Sequence, residues 1–141
     1  TYEGATSTVA STLSAAGVPT EGLFLEDCSG LSSNDRISAN TLVGVLKASY
    51  SGQGTSADTM RLLPWAGLVG TLSKRMTEEP AAGNVQAKTG ALQEVTSLSG
   101  SVMTKSGRVL LVSIGHDNVT EGAYATRGRL DAFEEGLAGL D

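Results

Sequence analysis

Between residues 83 and 91 the chain reads GNVQAKTGA, and Lys88-Thr89-Gly90-Ala91 sets four chemically distinct groups in series. The alternating apolar residues Val85 and Ala87 before them mark a strand. On it Lys88 supplies a fixed positive charge, Thr89 a hydroxyl that donates to an anionic ligand group, and Gly90 a backbone clear of side chain along which an extended ligand can pair. The N–H of Ala91 is then free to stabilise an oxyanion. Three residues of Lys-Thr-Gly are a weak pattern alone, so the other reactive side chains bear on the question. Cys28 stands beside Asp27 in a tight loop with no His near it in sequence, which reads as a buried, inert thiol. His116, next to Asp117 at the end of an alternating segment, reads as a surface or capping residue rather than a general base.

The single Cys and single His remove whole classes of chemistry. No disulfide can close within the chain, Cys/His zinc sites lack ligands, and nothing in the pattern calls for a metal or cofactor. Four Lys and six Arg are scattered through a chain of net charge −5 with one Trp, three Tyr and two Phe, which argues against nucleic acid. No apolar run approaches the roughly 18 residues that a membrane-crossing helix needs. The composition is skewed to small residues, with 18 Gly, 16 Ser and 15 Thr, yet 40% of the chain is hydrophobic and periodic, so a packed core is expected. Residue 1 is Thr with no Met before it, which reads as a processed chain or a piece of a longer one.

The elements that must position the Lys-Thr-Gly run are legible in outline. Residues 5–16, ATSTVASTLSAA, carry Val9, Leu13 and Ala16 at helical spacing, and Gly17 with Pro19 ends the helix. Residues 22–27, GLFLED, read as a strand or extended segment leading into a loop. Ser38 is an N-cap for a helix over ANTLVGVLKASY, closed by Ser51-Gly52. Residues 52–59 read as loop, and Pro64 blocks helix before it while Leu68, Leu72 and Met76 suggest a short helix after it. Beyond the turn-rich EEPAAG the period becomes alternating, predicting strands over residues 84–92, 96–104 and 108–115, with a two-residue hairpin loop in Lys105-Ser106-Gly107-Arg108. Leu130, Phe133, Leu137 and Leu140 predict a closing helix over residues 126–140.

Four segments in this order are similar to a known family: Asp27-Cys28-Ser29-Gly30-Leu31-Ser32 before a helix; Leu63-Pro64-Trp65-Ala66-Gly67 running to Gly70-Thr71-Leu72; Val85-Gln86-Ala87-Lys88-Thr89-Gly90-Ala91-Leu92; and Leu98-Ser99-Gly100 running into the last strand. They resemble the DGSGLS, LPxAGxxGTL, VxAKTGxL and LxGxV forms of the D-alanyl-D-alanine carboxypeptidase/endopeptidase family of class C low-molecular-mass penicillin-binding proteins, peptidase family S13. The departures are Cys28 for the usual Gly, Ala91 where Ser or Thr is common, and Ser33 where a basic residue often follows.

The resemblance implies a serine acyl-transfer hydrolase of the bacterial cell wall. Such an enzyme cleaves the terminal D-Ala of peptidoglycan stem peptides, or the peptide cross-links, and is acylated by β-lactam antibiotics. It implies an exported protein, periplasmic or cell-wall associated, and three catalytic motifs: Ser-x-x-Lys, Ser-x-Asn and Lys-Thr-Gly. Three residues before Lys47, Lys74, Lys88 and Lys105 stand Gly44, Thr71, Val85 and Val102, so no Ser-x-x-Lys is present. Thr71 to Lys74 reads as a helix face. Ser32-Ser33-Asn34 and Ser38-Ala39-Asn40 match Ser-x-Asn formally, but the family's own copy precedes the SGLS segment.

Residues 1–141 are therefore expected to be the C-terminal part of a penicillin-binding domain, its nucleophile carried by an N-terminal portion of the same protein. The fold class is α+β, an antiparallel sheet flanked by helices. By resemblance, Lys88 draws in the substrate's carboxylate, Thr89 hydrogen-bonds it, Gly90 admits the peptide and Ala91 N–H forms half of an oxyanion hole. Leu31 and Leu92 either line the pocket for the stem-peptide side chain or pack in the core, and core packing is the default for Trp65. Such a chain alone is expected to be inactive, with at least one apolar face uncovered. The competing possibility is a non-catalytic peptidoglycan-binding module that kept this wall and lost the reaction.

Overall fold

A computed structural model describes residues 1–52 and 57–141. Helix α1 spans Tyr2–Ala15 and begins where the Thr1 hydroxyl accepts from Gly4 N, a few residues earlier than the apolar spacing alone suggests. Helix α2, Ala39–Tyr50, starts at Ser38, whose Oγ accepts from Thr41 N at 3.0 Å as the cap pattern requires. Gly44 in mid-helix has a packing reason. A Cβ there would lie 2.9 Å from both Val18 and Pro19, so the chain leaving α1 runs tight against α2.

The segment around Pro64 departs from expectation. A short helix α3, Ala57–Arg61, lies before Pro64, part of it in residues read as loop, and beyond Pro64 only a single 3-10 turn, Gly70–Leu72, forms. A proline restricts only the residue ahead of it and the turn it occupies, so a helix that stops at Arg61 leaves it room. After it, Gly67 and Gly70 take φ of +69° and +66°, which an α-helix cannot carry through. Between α1 and α2, residues 22–27 supply only an isolated bridge, Phe24 with Arg36, in place of a strand.

Three antiparallel strands follow in the order β1-β2-β3: β1 Val85–Ala91, β2 Thr96–Met103 and β3 Val109–His116. The β2–β3 loop is one residue longer than expected. Thr104 N bonds Arg108 O at 2.9 Å around Lys105, Ser106 and Gly107, with Gly107 at φ +81°. Helix α4, Ala123–Ala138, lies along the sheet face that carries Val85, Ala87, Leu98 and Val102; with Leu130, Ala138, Leu72 and Met76 these form the core. Within it Glu134 is 1% exposed and neither carboxyl oxygen has a hydrogen-bond partner among the described residues. Burial, with the Asp131 carboxylate nearby, pushes Glu134 up to about 7. Asp131 itself is held by the Arg75 guanidinium, Nη2 to Oδ1 at 2.5 Å.

α1 and two loop segments are less covered. α1 buries none of its residues, and Tyr2, Phe24, Leu31, Leu62 and Leu68 are all more than half exposed. Exposed apolar side chains thus lie on α1, the residue 22–37 loop and the Pro64 segment, and on α4 at Tyr124 and Phe133.

Candidate active site

β1 is an edge strand, and its outer edge is closed along one half and open along the other. Ala66 N donates to Val85 O at 2.9 Å and Ala87 N donates to Pro64 O at 3.0 Å, while Trp65 forms a bridge with Gln86. The Leu63–Gly67 stretch therefore acts as a stub of a further strand that ends at Ala87. Strand backbone groups alternate sides with a period of two. Since Val85 and Ala87 point outward, so do Thr89 and Ala91, and among the described residues neither N–H meets an acceptor outside the sheet. The exposed edge is two residues long and coincides with the Lys-Thr-Gly-Ala run.

The side chains of that run gather at the same edge. Lys88 is exposed and its Nζ donates to the outward-facing Thr89 carbonyl at 2.6 Å, which brings the ammonium round to the open side. Thr89 Oγ1 donates to Thr71 Oγ1 at 3.3 Å. Gly90 is opposite Ser97 in β2, and a Cβ on Gly90 would sit 2.3 Å from Ser97 Oγ. What Gly90 clears within this chain is thus a neighbouring serine, a partner that the triplet in sequence does not reveal. The arrangement offers a cation, a hydroxyl and an outward N–H to an extended anionic ligand.

The loop that carries Leu31 is built separately. Asp27 Oδ1 accepts from Ser29 N at 2.7 Å and from Ser29 Oγ at 2.9 Å, the Asx turn that an Asp two residues before a Ser can make. These bonds hold the Asp27 carboxyl below the usual carboxylate range, the Ser29 N–H bond contributing most. Glu26 accepts from the Ser32 hydroxyl and from Asn34 Nδ2, which likewise lower its pKa, Ser32 first. Ser32 and Asn34 therefore tie the loop to Glu26, a structural task, and the loop's bonds are internal, none reaching β1 among the described residues. Leu31 stands 73% exposed at its tip, outside the core. Leu92 is half-buried just past Ala91, where its N–H closes the turn on Val95 O at 2.9 Å.

Three minor expectations change. Cys28 is exposed, because a two-residue Asx turn at the surface leaves no interior for its thiol. Trp65 is 36% exposed, since its segment lies on the sheet edge and not beneath it. Thr71, read as part of a helix face with Lys74, is in the 3-10 turn and faces Thr89. That contact joins two motifs 18 residues apart, and only the hydroxyl pair of a GTL and a KTG segment hinted at it. His116 is exposed at the end of β3, as expected.

A profile of the D-Ala-D-Ala carboxypeptidase 3 (S13) family matches residues 1–137. The chain belongs to this family. Among similar proteins, carboxypeptidase DacB of Mycolicibacterium smegmatis is 39% identical over 122 residues, covering 83% of this chain and 26% of the relative. D-alanyl-D-alanine carboxypeptidase of an Actinomadura species is 40% identical over 112 residues, covering 74% of this chain and 20% of the relative. The structure of penicillin binding protein 4 (dacB) from Haemophilus influenzae, complexed with a β-lactam, superposes with a TM-score of 0.84 at 28% identity, covering 97% of this chain and 33% of that one. The S13 chain described here thus spans about a quarter of the length of such carboxypeptidases. Its α+β fold, an antiparallel sheet with helices, is that of the penicillin-binding domain.

Proposed function

We propose that this chain is the C-terminal part of a serine-type D-Ala-D-Ala carboxypeptidase or endopeptidase domain and supplies its Lys-Thr-Gly wall. The observation that carries the proposal is the half-closed β1 edge, sealed by Pro64 and Ala66 up to Ala87 and open at Thr89 and Ala91. A peptide laid along the open half meets the Ala91 N–H at its scissile carbonyl and the Thr89 hydroxyl and Lys88 ammonium at its terminal carboxylate. Ala91 N–H is then one half of an oxyanion hole, most useful when charge develops on the carbonyl oxygen. Lys88 sets the electrostatic field for the terminal carboxylate and for the proton-relay groups, and Gly90 keeps the strand slim beside Ser97. Leu31 and Leu92, exposed and half-buried respectively, line the wall for the stem-peptide side chain.

The nucleophile and its base, with the second half of the oxyanion hole, are supplied by a preceding portion of the same protein bearing Ser-x-x-Lys and Ser-x-Asn. The relatives' greater length supports this division. Acylation by β-lactams and export to the periplasm or cell wall follow from the same reading. No helix among the described residues is long and apolar enough to cross a membrane.

Fluorescent penicillin tests the proposal. The complete protein should be labelled covalently on its nucleophile-bearing portion, and release D-Ala from a pentapeptide. Absence of labelling in folded, complete protein would leave the competing reading, a non-catalytic peptidoglycan-binding module.

A further inference from the structure

We infer that Thr71 is a positioning residue for Thr89, acting through a pair of hydroxyls that reverses when an anionic ligand docks. The inference rests on the site assignment above and adds a residue to it. The turn that carries Thr71 is fixed on three sides. Leu72, next to it, is fully buried in the core. Gly67 N donates to both Leu72 O and Arg75 O at 3.0 Å, and Arg75 is locked to α4 through Asp131. Gly70 is seated on Pro64, where a Cβ would come within 3.1 Å of the ring. Thr71 is thus presented to the strand edge by a braced turn, at the boundary where the Pro64–Ala66 stub gives way to the open backbone.

A threonine hydroxyl has one proton and two acceptor positions. In the present state the Thr89 proton is directed at Thr71 Oγ1, 3.3 Å away. To donate to a carboxylate, Thr89 must turn that proton outward, which would leave Thr71 Oγ1 without its donor. Thr71 can then rotate its own O–H onto the lone pair that Thr89 exposes. Thr89 remains bonded on both sides and, as an acceptor from Thr71, becomes the stronger donor to the ligand. No proton changes its oxygen; two hydroxyls rotate. This gives the GTL segment a task of its own, next to the stub that closes the edge: through Thr71 it holds the hydroxyl of a β-branched strand residue in place.

The test uses complete protein and two thioester substrates, one ending in thioglycolate and so carrying the terminal carboxylate, the other lacking it. Thr71→Val should slow acylation by the carboxylate substrate about three- to tenfold, the worth of one hydrogen bond, with little change for the other. Thr71→Ser should restore the rate to within about twofold, and adding Thr71→Val to Thr89→Val should produce no further loss. The inference is overturned if Thr71→Val leaves the carboxylate substrate unaffected while Thr89→Val impairs it. Equal slowing of both substrates by folded Thr71→Val protein, or failure of Thr71→Ser to restore the rate, overturns it too. Wild-type protein that neither reacts with the thioesters nor takes up penicillin defeats the site assignment itself, and this inference with it.

Discussion

Lys88 holds its position by a bond to the very next carbonyl, so its ammonium stays at the strand edge without any carboxylate partner among the described residues. That makes it an available charge, and a charge-assisted bond to a ligand is worth roughly 1.5–3 kcal/mol. Lys88→Ala in the complete protein should therefore slow penicillin acylation about ten- to a hundredfold, while the thermal midpoint stays unchanged because the side chain is exposed and packs no core. Labelling time courses beside a melting curve check both halves, and unchanged labelling removes Lys88 from the site. Gly90 is the contrasting residue, where backbone and not side chain decides. The types Lys, Thr and Gly were readable as chemistry from their order. Their convergence on a two-residue opening was not, because the residues that seal the rest of the edge lie some twenty positions earlier.

At the level of elements, local signals served where local physics dominates. Ser38 capping α2 and Val85, Ala87, Leu98 and Val102 alternating along β1 and β2 are short-range patterns, and the structure follows them. The Pro64 segment obeys longer-range demands: its carbonyls and N–H groups are spent on β1 and on Gly67, so the apolar spacing of Leu68, Leu72 and Met76 has no helix to report. The same kind of hidden constraint explains Gly100. A Cβ there would fall 2.0 Å from Gln86 O and 2.5 Å from Ala87 Cα, both backbone atoms of the paired strand. Gly100→Ala must part β1 from β2 and should lower stability by about 2 kcal/mol or more, read as a fall in the urea midpoint. Glu134 gives α4 a pH dependence. Its carboxyl titrates near 4.5 when unfolded and about 7 when folded, so between those values the native state holds more protons than the unfolded one. Glu134's contribution to stability should be fully present below pH 4.5 and be lost as pH rises to about 7, by on the order of 2–3 kcal/mol. Glu134→Gln should flatten the decline; denaturation curves at pH 5 and pH 8 that fall in parallel for both proteins would count against it.

On the scale of the whole molecule, the apolar surfaces are unequally distributed, and that inequality is itself evidence about assembly. The sheet and α4 enclose a packed core, although Tyr124 and Phe133 of α4 are themselves exposed, whereas α1 buries no residue, and Phe24, Leu31, Leu62 and Leu68 face outward. Where exposed apolar area is contiguous, it marks an interaction surface. If the preceding portion of the domain covers it, then the 141-residue chain produced alone should retain the β1–β2–β3 sheet with α4, bind a hydrophobic dye such as anilinonaphthalene sulfonate, and exchange the amide hydrogens of α1 quickly. It should take up no fluorescent penicillin, for want of a nucleophile. In the complete protein, dye binding should fall, α1 should become protected, and labelling should appear together with them. Penicillin labelling of the chain alone would overturn the division of catalytic groups between the two portions. Slow exchange in α1 of the isolated chain would show that the uncovered face needs no partner.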